Sequence, residues 1–320
     1  MPDAAFRAIR PPAADPAGVA CAAVTHGSRW GLAAAYAAVC LIWGSTYLAI
    51  KVGLASFDPF FYAGVRYALA TALTFALARA RGVPFEGPLR RWWPAFGVGV
   101  LLVAACNGMV FWAETRLDSG FTALLLTTSP VFTALLSPLL SRDPAPRLAG
   151  WLGIALGLGG TVVLIEPWHA GSLTLLPAIV AEVSVVVWAV GSLWVRRIRE
   201  RFHPMALAVA QMAAGAVVLL AISAVRGQAL VGPVTGRSLA ALGYLVVFGS
   251  TVAFAAYFYL LRDWDATRVA TSTYVNTVVA LALGVVLLGE PMTGGMVFGT
   301  AVVFAGVALV LREQQGLGQT

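Results

Sequence analysis

The stretch "IWGSTYLAIKVGL" (Ile42–Leu54) is apolar enough to lie in hydrocarbon, yet it carries Trp43, Gly44, Ser45, Thr46 and Tyr47 just ahead of Lys51. In a spanning helix, small and hydroxyl residues allow close backbone approach and can bond a partner helix or a ligand. Trp43, Thr46, Tyr47 and Ile50 share one helical face. Two readings of that face stand side by side. In one it lines a pathway, with Trp43 against a solute and Ser45 or Thr46 offering hydrogen bonds. In the other Gly44 and Ser45 are a packing notch and Trp43 is core filler. Lys51, near the end of the span, reads as a side chain that snorkels to the interface.

The rest of the chain has the same character. Of 320 residues, 60% are hydrophobic and 11% charged, where a soluble domain carries about a quarter charged residues. A membrane helix needs about 20 mostly apolar residues, and ten such segments can be laid down: 30–50, 60–78, 92–112, 119–140, 147–165, 173–195, 205–225, 238–261, 267–288 and 294–311. The breaks fall at helix punctuation such as Asp58-Pro59, Glu166-Pro167, His203-Pro204 and Glu290-Pro291. The expected fold is an all-α integral membrane protein of ten transmembrane helices.

Residues 1–28 are Ala- and Pro-rich, lack the apolar core of a signal peptide, and read as a disordered cytoplasmic tail. Residues 313–320 read as a C-terminal cytoplasmic tail. With the N-terminus inside, 16 of the 21 Lys and Arg residues fall in cytoplasmic segments, against Lys51, Arg116, Arg226 and Arg237 outside and Arg66 within a span. The positive-inside rule therefore places both termini in the cytoplasm. The net charge of +7 is assigned to anionic lipid headgroups and not to nucleic acid.

Cys40 and Cys106 lie in spans and Cys21 in the tail, so no disulfide framework is expected. His26, His169 and His203 are scattered over tail and loops, which argues against a metal site. No Gly-rich phosphate loop, HExxH or nucleophile elbow is present, so neither an enzyme nor a cofactor is expected.

The two halves repeat. An offset of 145 sets Trp43 on Trp188, Lys51 on Arg196, Pro59 on Pro204 and Arg66 on Gln211; an offset of 146 sets Pro130 on Asn276, Gly153 on Gly299 and Gly160 on Gly306. Each unit has five spans, an odd number, so the second enters the membrane from the opposite side and the repeat is inverted. The units are placed at residues 29–166 and 172–312.

These residues carry a family resemblance. "IWGSTYLAIKVGL…DPFFYAGVRYALA" (from Ile42) and "FGSTVAFAAYFYLLRDWDATRVATSTYVN…LLGE" (from Phe248) resemble the EamA-type transporters of the drug/metabolite transporter superfamily, most closely the bacterial subgroup with a WGSTY signature in its first helix. Two departures stand out: Thr277 follows Tyr274-Val275-Asn276 where relatives often have proline, and Gly289-Glu290 has no counterpart in the first half. The resemblance implies a secondary carrier of the inner membrane, with helices 1 to 4 and 6 to 9 around a central pathway and helices 5 and 10 peripheral. Members with assigned substrates mostly export amino acids or related metabolites, or extrude toxic compounds.

An ionisable group in hydrocarbon is costly unless it faces a cavity or a partner. Glu182 stands about nine residues into span 6, roughly 14 Å deep and near the midplane, and is expected to carry a coupling proton. Arg66, about seven residues into span 2, is read as bonding a substrate carboxylate, pairing with Glu182, or snorkelling. Asn107, Ser129 beside Pro130, Gln211, Tyr274 and Asn276 complete the candidate pathway with Trp43, Ser45, Thr46, Tyr47 and Trp188. Each of these polar residues reads equally as interhelical glue. The expected partners are a small-molecule solute, the lipid bilayer, protons and, as an open alternative, a second copy in a homodimer. A facilitative uniporter and a lipid or lipid-linked sugar translocator remain as other readings, with a membrane enzyme or sensor behind them.

Overall fold

The structure, a computed structural model, describes residues 28–141, 145–165, 172–264, 269 and 272–317. Both tails, Arg142-Asp143-Pro144, Glu166-Pro167, His169 and the first residues of the ninth span lie outside the described residues, apart from Ser28 and the end of the last helix at 313–317. Among the described residues nine helices are long and apolar enough to cross a membrane: α1 (Arg29–Leu54), α2 (Pro59–Ala80), α3 (Leu89–Glu114), α4 (Ser119–Leu140), α5 (Leu148–Ile165), α6 (Leu175–Arg201), α7 (Pro204–Arg226), α8 (Gly236–Tyr257) and α10 (Gly294–Arg312). Between the last two lies a shorter apolar helix, α9 (Ser272–Leu288). The chain is thus the expected all-α bundle of two five-helix units.

Local chemistry recurs at the repeat spacing. The Asp58 carboxylate accepts from Phe60 N and Phe61 N to cap α2, and His203 Nδ1 accepts from Met205 N to cap α7, each followed by proline at the first helical position. α3 is widened into a π-helix over Val100–Asn107 and α8 over Leu245–Val252, again 145 residues apart. The wider turn lets Asn107 Nδ2 reach Leu102 O at 2.7 Å and Thr251 Oγ1 reach Val246 O at 3.2 Å, both five residues back.

Packing obeys the same exchange of halves. α2 lies against α7 and α5 against α10, while α1 packing on α9 is matched by α6 packing on α4, and α1 on α8 by α6 on α3. This is the contact pattern of a pseudo-two-fold relation between the halves. α5 and α10 pack on each other and on α4, outside the main cluster. Their seam is made of glycine: a Cβ on Gly153 would lie 2.7 Å from Gly306 O, and one on Gly160 would lie 2.8 Å from Val303 N. The largest buried cluster joins α1, α2, α3, α7 and α8 through Ile50, Tyr62, Tyr67, Phe111, Leu219 and Leu245.

Candidate functional site

Helix α2 stands between the π segments of α3 and α8 and is tied to both. Tyr67 OH donates to Asn107 Oδ1 at 2.8 Å on the α3 side. On the α8 side Arg66 Nε donates to Ser250 Oγ at 3.2 Å, and Thr74 Oγ1 lies 3.5 Å from Thr251 Oγ1. The Arg66 guanidinium also lies 4.8 Å from the centre of the Tyr67 ring and 5.8 Å from that of Phe111. Arg66 is 5% exposed. It therefore does not snorkel, and no ion pair joins it to Glu182: burial among aromatics, with Ser250 as acceptor, leaves it facing the interior of the bundle.

Glu182 on α6 meets a break in α4 at Thr127-Thr128. Pro130 has no N–H to give to the carbonyl four residues earlier, and helix geometry fails on that turn. The Thr127 hydroxyl turns back to Ala123 O at 3.1 Å. The Thr128 hydroxyl lies 2.8 Å from Leu125 O and 3.1 Å from Glu182 Oε2, while Glu182 Oε1 is buried with no partner. Ser129 begins the helix beyond the break and is half-buried. From the other half, Thr277 brings its hydroxyl to 2.7 Å from that of Thr127 and donates to Thr273 O at 3.0 Å. Thr277 thereby ties α9 to α4.

The signature of α1 is distributed over two contacts. Trp43 packs against Phe254 and Tyr257 of α8 with ring centroids 5.7 and 5.4 Å apart. Ser45 Oγ lies 2.6 Å from Tyr244 OH, beside a cleft of about 480 Å³ bounded by Leu48, Val52, Ala240 and Leu283. Thr46 donates to Trp43 O. Gly44 meets α9, where a Cβ would lie 2.7 Å from Asn276 O. With its amide nitrogen turned to the acceptors, Asn276 bonds Ser272 O and Cys40 O at 3.0 Å each. Tyr47 is half-buried.

Three of the expected residues stand elsewhere. Tyr274 sets its ring edge-on to Phe304 of α10 at 5.0 Å, with its hydroxyl buried and unpartnered. Trp188 is 39% exposed on α6. Gln211 offers its backbone to α3, where a Cβ on Gly99 would lie 2.7 Å from Gln211 Cα. Lys51, read as snorkelling, turns inward and donates to Glu114 O at 2.9 Å and Leu117 O at 2.6 Å, because the end of α3 and the turn after it leave those carbonyls free.

Sequence reading passed over Glu114, Thr128, Tyr244, Ser250 and the role of Glu290. Glu114 ends an apolar run, which reads as an interfacial acid, yet it is wholly buried and neither carboxylate oxygen has a partner. The Pro130 signal pointed near Thr128, and Ser250 stands in the quoted "FGSTV". Among the described residues no group of three His, Cys, Asp or Glu side chains is arranged to hold a metal. Cys40 and Cys106 are buried free thiols.

A duplicated ten-helix bundle with buried, incompletely partnered charges has the build of a membrane transporter. Residues 29–166 and 175–312 each match the EamA-like transporter family, and the chain belongs to that family. It is 38% identical over 259 residues, 80% of this chain and 82% of the relative, to the inner membrane transporter YedA of Escherichia coli (strain K12). It is 26% identical over 298 residues, 86% and 88% of the two chains, to the transporter sll0355 of Synechocystis. A solved crystal structure shares the fold at a TM-score of 0.63 and 20% identity, over 89% of this chain and 99% of that one.

Proposed function

We propose that the protein is a secondary carrier that exports a small metabolite such as an amino acid, or a toxic compound, across the bacterial inner membrane by alternating access. The distribution of Lys and Arg supports placing both termini in the cytoplasm. The observation that carries the reading is the hydrogen-bond conflict at Glu182. Thr128 has one hydrogen for two acceptors, Leu125 O and Glu182 Oε2. A protonated Glu182 donates to Thr128 and leaves the threonine proton to Leu125. An ionised Glu182 draws that proton to itself and releases the carbonyl beside the break in α4. The two arrangements differ by one proton at a flexible point of the helix, which is what coupling needs. Arg66, with its buried guanidinium near Ser250, is assigned to a carboxylate of the solute. Trp43, Ser45, Thr46, Tyr47 and Asn107 are placed along the pathway.

The test is the melting temperature of the detergent-purified protein against a panel of amino acids, amines and small drugs, with Glu182→Gln and Arg66→Ala beside the parent. A response lost in either variant supports the site. Proteoliposome flux of that solute indifferent to an imposed pH gradient would sink the coupling. Flux intact in Glu182→Gln would make the protein a uniporter. A translocator of lipid or lipid-linked sugar is the second reading, favoured by the cleft of about 480 Å³ beside Ser45 and Tyr244. Silence across the soluble panel with a response to such lipids would select it.

A further inference from the structure

At one end of the bundle two opposite charges, one from each half of the chain, hold the turn between α3 and α4. The Lys51 ammonium at the end of α1 sits on the free carbonyls of Glu114 and Leu117 where α3 stops. Glu290, just past α9, accepts from Ser119 N at 2.7 Å, Ser119 Oγ at 2.8 Å and Gly120 N at 2.9 Å, where α4 starts. The turn between α3 and α4 thus receives a cation at its carbonyl end and an anion at its amide end, as the two helix dipoles require. The clamp is built into the backbone. A Cβ on Gly284 would collide with the Glu290 carboxylate, and Gly289 at φ 67° turns the chain so that Glu290 points back.

Beneath the clamp lies Glu114, with no exposed surface and no hydrogen-bond partner for either carboxylate oxygen. The charged groups acting on it are Lys51 of α1, Glu290 beyond α9 and Arg66 of α2. Tyr47 of α1 and Tyr62 of α2 also face it, and Asp118 lies in the adjoining turn. Tyr62 OH is committed to Ala49 O at 3.1 Å, and Arg66 Nε to Ser250. α6, which packs along the same turns of α3, sends its buried carboxyl, Glu182, to Thr128 instead. A carboxyl so enclosed is either neutral or needs positive charge nearby. Of the two cations, Arg66 is held within α2, whereas Lys51 rides on the end of α1 and leaves if this end opens.

We propose that Glu114 is a monovalent-cation site of a gate: Lys51 is its tethered counter-ion while this end is shut, and a proton or an alkali cation replaces it when Lys51 withdraws. The exchange conserves charge, one ammonium leaving as one cation enters. It rests on the alternating-access reading above and adds the residues that shut one end.

Cys106, 5% exposed on α3 and about two turns from Glu114, is the reporter. With Cys21 and Cys40 replaced by serine, its reaction with a membrane-impermeant maleimide, added to each face of sealed vesicles in turn, measures opening at either end. From the clamped face, Lys51→Gln is expected to label about tenfold faster than the parent, the effect of losing a charge-assisted contact of ordinary strength. Glu290→Gln breaks the clamp from the other half and should do the same. In the parent, labelling should rise with falling pH at constant choline if the cation is a proton, or with Na⁺ replacing choline at constant pH if it is an alkali ion. Glu114→Gln should lose that dependence. Gel filtration and a melting curve identify any variant that has not folded, and the remaining variants then decide. A Glu114→Gln protein that keeps the parent's dependence, a parent indifferent to both cations, or folded clamp variants that label no faster would overturn the proposal. The assay needs no solute, so a protein that gates in this way but carries no flux would sink the transport reading alone.

Discussion

The seam between α5 and α10 and the interior around α2 are both enclosed, but they are made of opposite chemistry. The seam is glycine and aliphatic, with backbones close enough that Gly153 and Gly306 leave no room for a methyl group. The interior holds Arg66, Glu114 and Glu182, of which the two acids leave three carboxylate oxygens unpartnered. A fold selected for stability alone would not keep such groups, since a buried polar atom without a partner costs roughly 1–3 kcal/mol. The seam is therefore read as scaffold. The interior is where stability has been given up for a task.

The largest effect is expected at the seam. Gly306→Leu should abolish recovery of monodisperse protein. Gly306→Ala, which overpacks by one methyl, should cost about 1–3 kcal/mol and lower the melting temperature by about 5 °C. A melting curve left in place by either would remove the scaffold reading. Glu182→Gln should do the reverse, leaving the melting temperature unchanged or raising it by a few degrees, because the amide is cheaper to bury, while pH-driven flux is lost. A large fall in stability would mark Glu182 as structural.

Smaller effects sharpen the relation between the halves. Asp58 accepts two backbone N–H bonds and His203 one. Asp58→Ala should cost about 1 kcal/mol and His203→Ala less, read as successive falls in melting temperature. Thr277→Val removes the hydroxyl facing Thr127, worth about 0.6 kcal/mol, and should give a shift just above measurement error. The smallest effect belongs to Asp118, in the turn between α3 and α4. Burial, then the nearby Glu290, raise its pKa, and Lys51 opposes them. The folded state therefore holds this proton more tightly than the unfolded chain. The contribution is favourable below the unfolded value and is lost as pH rises through the raised one. Asp118→Asn should thus slightly raise the melting temperature at neutral pH and flatten its fall as pH rises through the raised value.

The sites were legible to different degrees for reasons that can be named. Asp58-Pro59 and His203-Pro204 announced helix starts because capping and proline act within four residues. Pro130 drew the reading to Ser129, but the chemical consequence lay one residue away, at Thr128, because the hydroxyl matters only when α6 brings Glu182 to it. The π segments had no sequence signal. Neither the α3 nor the α8 segment contains proline. Glu114 drew no reading and Lys51 looked like an interfacial charge, since a charge at the end of an apolar run normally reaches water. Here the α3–α4 turn covers the one and captures the other.

Composition and periodicity by themselves determined that this chain spans a membrane, with ten apolar segments in two repeated units, because hydrocarbon admits only internally bonded helices of a minimum length. The WGSTY stretch and the repeat were enough to indicate the family. Which polar groups meet is settled by the packing of the helices. Pairs such as Arg66 and Ser250, Glu182 and Thr128, or Glu290 and Ser119 are 184, 54 and 171 residues apart in the chain. Their meeting depends on how two halves of opposite topology interlock, and no local preference encodes that.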